Sequence, residues 1–274
     1  MLTVLAPAKL NLTLEVLNKR KDGYHEIHSV IQTINLCDNL HLQLNQNVEF
    51  KSNMPGWIPE KSLVSRAASL LKEATGCSKG VAIEVSKRIP LISGMGGDSS
   101  DGAAALLGLN KLWELGLSPE ELLKLAVQLG SDVAFFLYGG TALVRGRGEM
   151  VTALPPLPRR WVVLVVPNLS RQPGKTARLY ASLKASHYTD GQITQKLVEA
   201  LRETREFKPR FLFNTFENVV FTELPELKVY WGHIMKIGAD NVHLAGSGPT
   251  LFTLLNDMAQ AEDLYIRCQQ QGME

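Results

Sequence analysis

ISGMGGDSSDGAAALLGL, residues 92–109, is the stretch on which the reading of this chain turns. Pro90 ends an extended stretch, VAIEVSKRI, glycines follow at 94, 96 and 97, and a helix of small residues is predicted from about Ser99 through AAALLGLNKLW. The order is strand, glycine loop, helix. Glycines allow close backbone approach and unusual dihedral angles, so successive N–H groups can converge on an anion. Ser99 and Ser100 add hydroxyls at a helix start, where unpaired N–H groups and the helix dipole favour negative charge. A tight turn with a serine cap and no ligand fits the same residues. Neither GxxxxGKS/T nor an early GxGxxG with a spaced acid behind it occurs, which disfavours a P-loop enzyme and a dinucleotide enzyme.

On the N-terminal side, residues 2–16 read as a first strand, with Asn11, Thr13 and Glu15 on its outer face. A turn, NKRKDGYH, leads to two further extended stretches, IHSVIQTINL and LHLQLN, which together predict an antiparallel opening sheet. Residues 62–75 have helical spacing, and Gly76 is a stop. On the C-terminal side a second helix fits PEELLKLAVQL, and YGGTALVRGRG reads as a turn feeding a strand. The prolines of PPLPRR, residues 155–160, disfavour hydrogen-bonded structure and mark a hinge. Beyond it come a buried strand, WVVLVVP, helices over 176–186, 192–206 and 215–236, two short strands flanking SGPT, and a polar C-terminal helix. The chain therefore divides near residue 155 into two α+β halves, 1–155 and 156–274. No long repeat or low-complexity tract is present.

The 274 residues, 45% of them hydrophobic, suffice for a substantial core, and a net charge of +2 demands neither nucleic acid nor an anionic membrane as partner. Three scattered cysteines suggest neither a disulfide framework nor a zinc cluster. The N-terminus lacks a basic leader and a long apolar core, and WVVLVVP is too short to span a bilayer, so a cytoplasmic address is expected by elimination.

Two charged residues stand out. Lys9, in a mostly apolar strand, could neutralise a phosphate or be a surface lysine on an edge. Asp132, in LGSDVAFFLYGG, precedes apolar residues where an ionisable group needs a partner or a task, and it also suits a turn or helix N-cap. Tyr24 and His25, in DGYHEIH, could hold a nucleobase or form a solvated hairpin turn. A second small-residue loop, AGSGPT at 245–250, could close on a ligand together with the first.

Three motifs in order, APAKLNLTLEV at 6–16, IPLISGMGGDSSDGAA at 89–104 and LAGSGPTLF at 244–252, resemble those of the GHMP kinases. DGYHEIHSV, LGSDVAFF and FNTFENVVF point within that family to members acting on CDP-methylerythritol. The resemblance implies an N-terminal domain like domain 2 of ribosomal protein S5, a ferredoxin-like C-terminal domain, and a site between them. It implies ATP-dependent phosphorylation of the substrate's 2-hydroxyl for isoprenoid precursor synthesis, with Mg²⁺ and with no residue assigned to the metal. ATP phosphates would rest on Gly94, Gly96, Gly97, Ser99 and Ser100, with Lys87 near the adenosine and Ser62 near the adenine. Asp132 would take the hydroxyl proton beside Lys9, and Asn11, Tyr24 and His25 would meet the substrate. His25 would lie at the cytosine and Tyr180 on that ring's other face. The partners implied are these two small molecules, with no nucleic acid or membrane, in a monomer or homodimer. Another alcohol, such as homoserine or a mevalonate derivative, is the alternative acceptor, and a non-catalytic binding protein the alternative class.

Three departures carry expectations of their own. Asp98 stands in GMGGDSS where the family has GLGGGSS or GLGSSSS, and its carboxylate must turn to solvent, cap the helix or meet Mg²⁺ to avoid repelling ATP. Ser62 replaces an asparagine. SRQPGKTARLY, residues 170–180, departs from a short GxST pattern, and its Lys175 and Arg178 read more readily as a solvated basic loop than as diphosphate contacts.

Overall fold

A computed structural model describes residues 1–169, 174–204 and 207–273. The first half runs β1 (Leu2–Asn11), β2 (Thr13–Lys19), β3 (His25–Asn45), β4 (Val48–Ser52), α1 (Leu63–Thr75), β5 (Gly80–Ser86), α2 (Gly97–Leu112), α3 (Pro119–Leu129), α4 (Val133–Tyr138), β6 (Thr141–Gly146) and β7 (Met150–Ala153). The second half runs β8 (Trp161–Val165), α5 (Lys175–Ser182), α6 (Gln192–Glu203), β9 (Phe213–Asn214), α7 (Val220–Glu223), α8 (Pro225–Lys236), β10 (His243–Leu244), β11 (Leu251–Leu255) and α9 (Met258–Gln270). Residues 154–160, which include the proline cluster, form no regular element. No helix among the described residues is long and apolar enough to cross a membrane.

β3 organises the larger sheet. The two extended stretches expected after the turn are one strand of 21 residues. Its first part pairs antiparallel with β2 and β6, and its last part pairs antiparallel with β1 and β5. The DNL sequence at 38–40 stays extended because β1 pairs with all three residues, β5 pairs with Asn39 and Leu40 from the other side, and Asp38 is bonded into the core. β9, from the second half, joins the larger sheet by parallel pairing with β2, through Thr13 opposite Phe213 and Leu14 opposite Asn214. β10, β11 and β8 make a separate three-stranded antiparallel sheet.

The helices obey local rules. Ser62 caps α1 by accepting from the Ser65 N–H, and Gly76 ends it in a left-handed conformation. Ser118 and Glu121 form a capping box at α3. α2 begins two residues earlier than expected, and its Ala103, Ala104 and Ala105 are buried in one apolar cluster with Val64, Ala67 and Leu71 of α1 and Leu40 and Leu42 of β3.

Asn11, Thr13 and Glu15 are buried, not on an outer face as expected. The cause lies far along the chain. Thr194 of α6 donates its N–H to Glu15 Oε2 at 2.6 Å and its hydroxyl to Thr13 Oγ1 at 2.9 Å. A strand polar on one side is normally solvated there; here a helix of the second half covers it and supplies hydrogen bonds to Thr13 and to Glu15 Oε2, while Glu15 Oε1 is buried without a partner. Apolar residues of both halves close the same seam, with Leu10, Leu12 and Leu154 packed among Leu197, Leu201 and Phe252.

Candidate active site

The end of β1 and the first glycine loop are joined through the backbone, the Lys9 N–H donating to the Met95 carbonyl at 3.0 Å. Gly94 takes φ +86°, and a β-carbon there would fall 2.0 Å from the Ala245 carbonyl oxygen. Only glycine permits this approach of the two glycine loops. Gly96, at φ +72°, is the left-handed N-cap residue of α2. The second loop is held from behind by Asn214, whose side-chain amide donates to the carbonyls of Leu244 at 2.9 Å and Gly246 at 2.8 Å.

A cavity of about 890 Å³ opens where the loops meet, and Lys9, Asn11, Gly94, Gly96, Asp132 and Gly246 line its polar end. Lys9 Nζ donates to Asn11 Oδ1 at 2.7 Å and stands 3.4 Å from Asp132 Oδ2. The Asn11 amide in turn donates to Ser29 Oγ at 2.8 Å, which fixes its oxygen toward the lysine. Lys9 is buried, not on an edge, while the Asp132 side chain is 36% exposed. Asp132 occupies the N-cap position of α4, yet its side chain makes no capping bond. The carboxylate is thus held beside an ammonium and open to the cavity.

At the apolar end lie Tyr24, His25, Tyr180, Tyr188 and Phe216. His25 and Tyr180 stack directly, with ring centroids 4.7 Å apart and planes 17° from parallel. A base held between them needs two contact distances, about 7–8 Å, so the two-sided sandwich expected from the resemblance is not the arrangement here. Burial, and next the charge of Lys19, lower the His25 pKa. Burial, with the Asp132 charge adding to it, raises the Tyr180 pKa, so its hydroxyl stays neutral. Tyr24 is largely exposed and lies under the Arg147 guanidinium, 4.7 Å from the ring centroid.

The remaining expected residues lie behind the loop. Gly97, Ser99 and Ser100 form the first turn of α2 and do not line the cavity. Ser100 Oγ is buried without a partner. Ser62 is buried, and its hydroxyl is engaged as the α1 cap and as a donor to the Pro59 carbonyl at 2.7 Å, away from the cavity. Lys87, expected beside the adenosine, points into the fold instead, contacting Asp38 Oδ2 at 2.5 Å and Asp101 Oδ2 at 2.6 Å. Asp38 also accepts from the backbone N–H groups of Arg88 and Ile89. Burial opposes the Lys87 charge, but Asp101 and Asp38 outweigh it and hold its pKa above the usual lysine value. Burial pushes the Asp101 carboxyl up to about 8, against the pull of Lys87. Asp98 resolves its expectation by capping a neighbour: its carboxylate accepts from the Leu63 N–H at 3.3 Å, at the start of α1.

The sequence reading missed Asp38, Asp101, Tyr188 and Arg147, and it placed Lys175 in solvent. Of the 170–180 stretch, residues 170–173 lie outside the described residues; Lys175 is buried and lines the cavity. A lone aspartate in a sheet segment gives no local signal. Tyr188 could have been found as an aromatic close after Tyr180.

Residues 62–140 match the GHMP kinases N terminal domain. The 4-diphosphocytidyl-2-C-methyl-D-erythritol kinase of Dehalococcoides mccartyi is 48% identical over 272 residues, covering 99% of this chain and 95% of that protein. The corresponding kinase of Listeria monocytogenes is 40% identical over 269 residues, covering 96% of this chain and 90% of its own length. A crystal structure of 4-(cytidine 5'-diphospho)-2C-methyl-D-erythritol kinase superposes with a TM-score of 0.81 at 35% identity, covering 98% of this chain and 96% of that one. A homoserine kinase from Cytophaga hutchinsonii shares the fold, with a TM-score of 0.73 at 21% identity over 99% of this chain and 91% of its own. With a two-domain α+β fold, its glycine loops in register with the motifs and relatives matching almost end to end, the chain belongs to the GHMP kinase family and is closely related within it to the 4-diphosphocytidyl-2-C-methyl-D-erythritol kinases.

Proposed function

We propose that the chain transfers the γ-phosphoryl group of ATP to the 2-hydroxyl of 4-diphosphocytidyl-2-C-methyl-D-erythritol, a step of non-mevalonate isoprenoid precursor synthesis. The observation that carries this reading is the Lys9–Asp132 pair, 3.4 Å apart where two glycine loops meet. Phosphoryl transfer needs alignment and charge stabilisation more than covalent chemistry. Asp132 receives the proton of the attacking hydroxyl, whose oxygen bonds to the γ-phosphorus as the bond to the β–γ bridging oxygen breaks and ADP departs. Lys9, held by Asn11, meets the charge that develops on the transferred group. The backbone of the glycine loop that leads into α2, at Gly94 and Gly96 on the cavity wall, receives the phosphates.

Mg²⁺ suits this site as an ion carried chiefly by the phosphates. Among the described residues no group of three or more His, Cys, Asp or Glu could hold it, and Ser100 Oγ, in the first turn of α2, is buried without a partner. When bound, the ion would supply neutralisation of the charge on the phosphates. His25 and Tyr180, stacked on each other, form the end of the cavity that receives the cytosine against the pair, in a site lined by residues of both halves of the chain.

The test is an ADP-release assay with Mg-ATP, comparing CDP-methylerythritol with homoserine, mevalonate and galactose. Turnover confined to the cytidine compound is expected. Turnover with another alcohol would keep the kinase chemistry and reject the base-binding roles of Tyr24, His25 and Tyr180.

A further inference from the structure

Lys175 opens α5, and its side chain, only 6% exposed, runs back between the two glycine loops. Its ammonium donates to the Ile92 carbonyl at 3.3 Å and to the Gly248 carbonyl, one acceptor from each loop. Ile92 is itself an outlier, a β-branched residue at φ +59°. No carboxylate among the described residues pairs with Lys175, and the charge that bears on it, Arg178, has the same sign. Burial, and then Arg178, lower its pKa to about 8. An ammonium has three N–H donors, and two of these are used. A buried charge met only by backbone dipoles is costly, so it calls for an anion. The first and last turns of α5 both line the cavity, with Lys175 at one end and Tyr180, against His25, about 7.5 Å further along the axis at the usual helical rise. One helix therefore carries a cation at the loops and an aromatic ring at the base end.

We propose that Lys175 binds the phosphate oxygens of a nucleoside-linked diphosphate seated between the two glycine loops, with the Ile92 and Gly248 carbonyls as its resting partners. The site is the one assigned above to the kinase reaction, and the inference rests on that reading for its ligands. The spacing from Tyr180 favours the cytidine-linked diphosphate; the donor nucleotide offers the same chemistry.

The experiment measures binding without turnover, by calorimetry, using CDP against cytidine and Mg-ADP against adenosine, on the wild type, Lys175→Met and Lys175→Arg. Lys175→Met is expected to weaken CDP about tenfold or more, the worth of a charge-assisted hydrogen bond, while cytidine is unchanged and Lys175→Arg recovers most of the loss. A loss for Mg-ADP with adenosine unchanged supports the same cation and moves it to the donor. Unchanged affinity for both diphosphates overturns the proposal, and so does a loss as large for the bare nucleosides, which marks Lys175 as a tie between loops. Should Lys175→Met fail to fold, acetylation of Lys175 in the wild type, followed by peptide mass spectrometry, decides: slowing by CDP or Mg-ADP but not by the nucleosides supports the proposal, and equal rates reject it. Because these arms do not require phosphorylation, a different acceptor alcohol would sink the proposed reaction and leave the Lys175 result standing or falling on Mg-ADP alone.

Discussion

The two faces of the first glycine loop each carry a buried lysine, and they use it differently. Lys9, on the cleft face, has one carboxylate partner at 3.4 Å, and that partner is open to the cavity. Lys87, behind the loop, is sealed between two carboxylates, both fully buried. The lysines themselves are equally inaccessible, at 5% and 4% exposure. Burial therefore does not separate a working lysine from a structural one; completion of its counter-charge does. Lys87 ties β5 to β3 through Asp38 and to α2 through Asp101, so it sets the position of the loop whose front Lys9 serves.

The largest expected effect lies on the cleft face. Asp132→Asn should lower kcat by about a thousandfold, within the range for loss of a general base, while KM and the melting temperature stay near wild type; normal kcat in this variant would end the proposed role. Behind the loop the pattern inverts. Lys87→Met leaves the buried Asp38 carboxylate and the Asp101 carboxyl without their shared partner and should cost about 3–5 kcal/mol in chemical denaturation, whereas Lys9→Met should lose turnover with little change in stability. If the two variants behaved alike, the contrast between the faces would collapse.

A smaller effect is expected at the base end. His25→Ala removes the partner of Tyr180 and should raise KM for the cytidine substrate roughly tenfold, on the scale of one lost aromatic contact, with KM for ATP unchanged. A selective loss of ATP affinity would move His25 to the other substrate. The remaining effect is a slope. Asp101 has a folded-state pKa of about 8, above the ordinary aspartate value, so the native chain holds a proton that the unfolded chain has released between those two points. Its contribution to stability falls as pH rises toward 8. Asp101→Asn should flatten the stability profile between pH 5 and 8.5, and an unchanged slope would show that the carboxyl is already ionised in the fold.

Much of this was legible locally. Ser62 and Gly76 bracket α1, Ser118 and Glu121 start α3, and the glycines at 94, 96 and 97 marked the loop, because caps and left-handed turns are set by residues within a few positions of each other. The meeting of Lys9 with Asp132 came from family resemblance, since no spacing rule joins positions 123 residues apart. What stayed illegible is non-local. β3 reads as two strands until β1 is seen to pair with residues 38–40 and β5 with 39–40 from the other side. Glu15 reads as solvated until Thr194 arrives. Lys87 finds Asp38 from 49 positions away, and Lys175 is buried by two loops that are themselves far apart in sequence.

The parallel pairing of β2 with β9 has a consequence during synthesis. Val16 donates its N–H to Thr215 Oγ1, and the Phe213 N–H donates to the Leu12 carbonyl, so one edge of β2 is completed by residues about 199 positions downstream. At a translation rate of roughly 5–20 residues per second, that edge waits about 10–40 s on the ribosome. Throughout this interval the nascent chain presents an unpaired strand, the kind of surface that recruits other chains. The cleft can form only after Gly246 and Ser247, which line it, have also emerged, so the second half of the chain, and not Lys9 or Asp132, gates the assembly of the site.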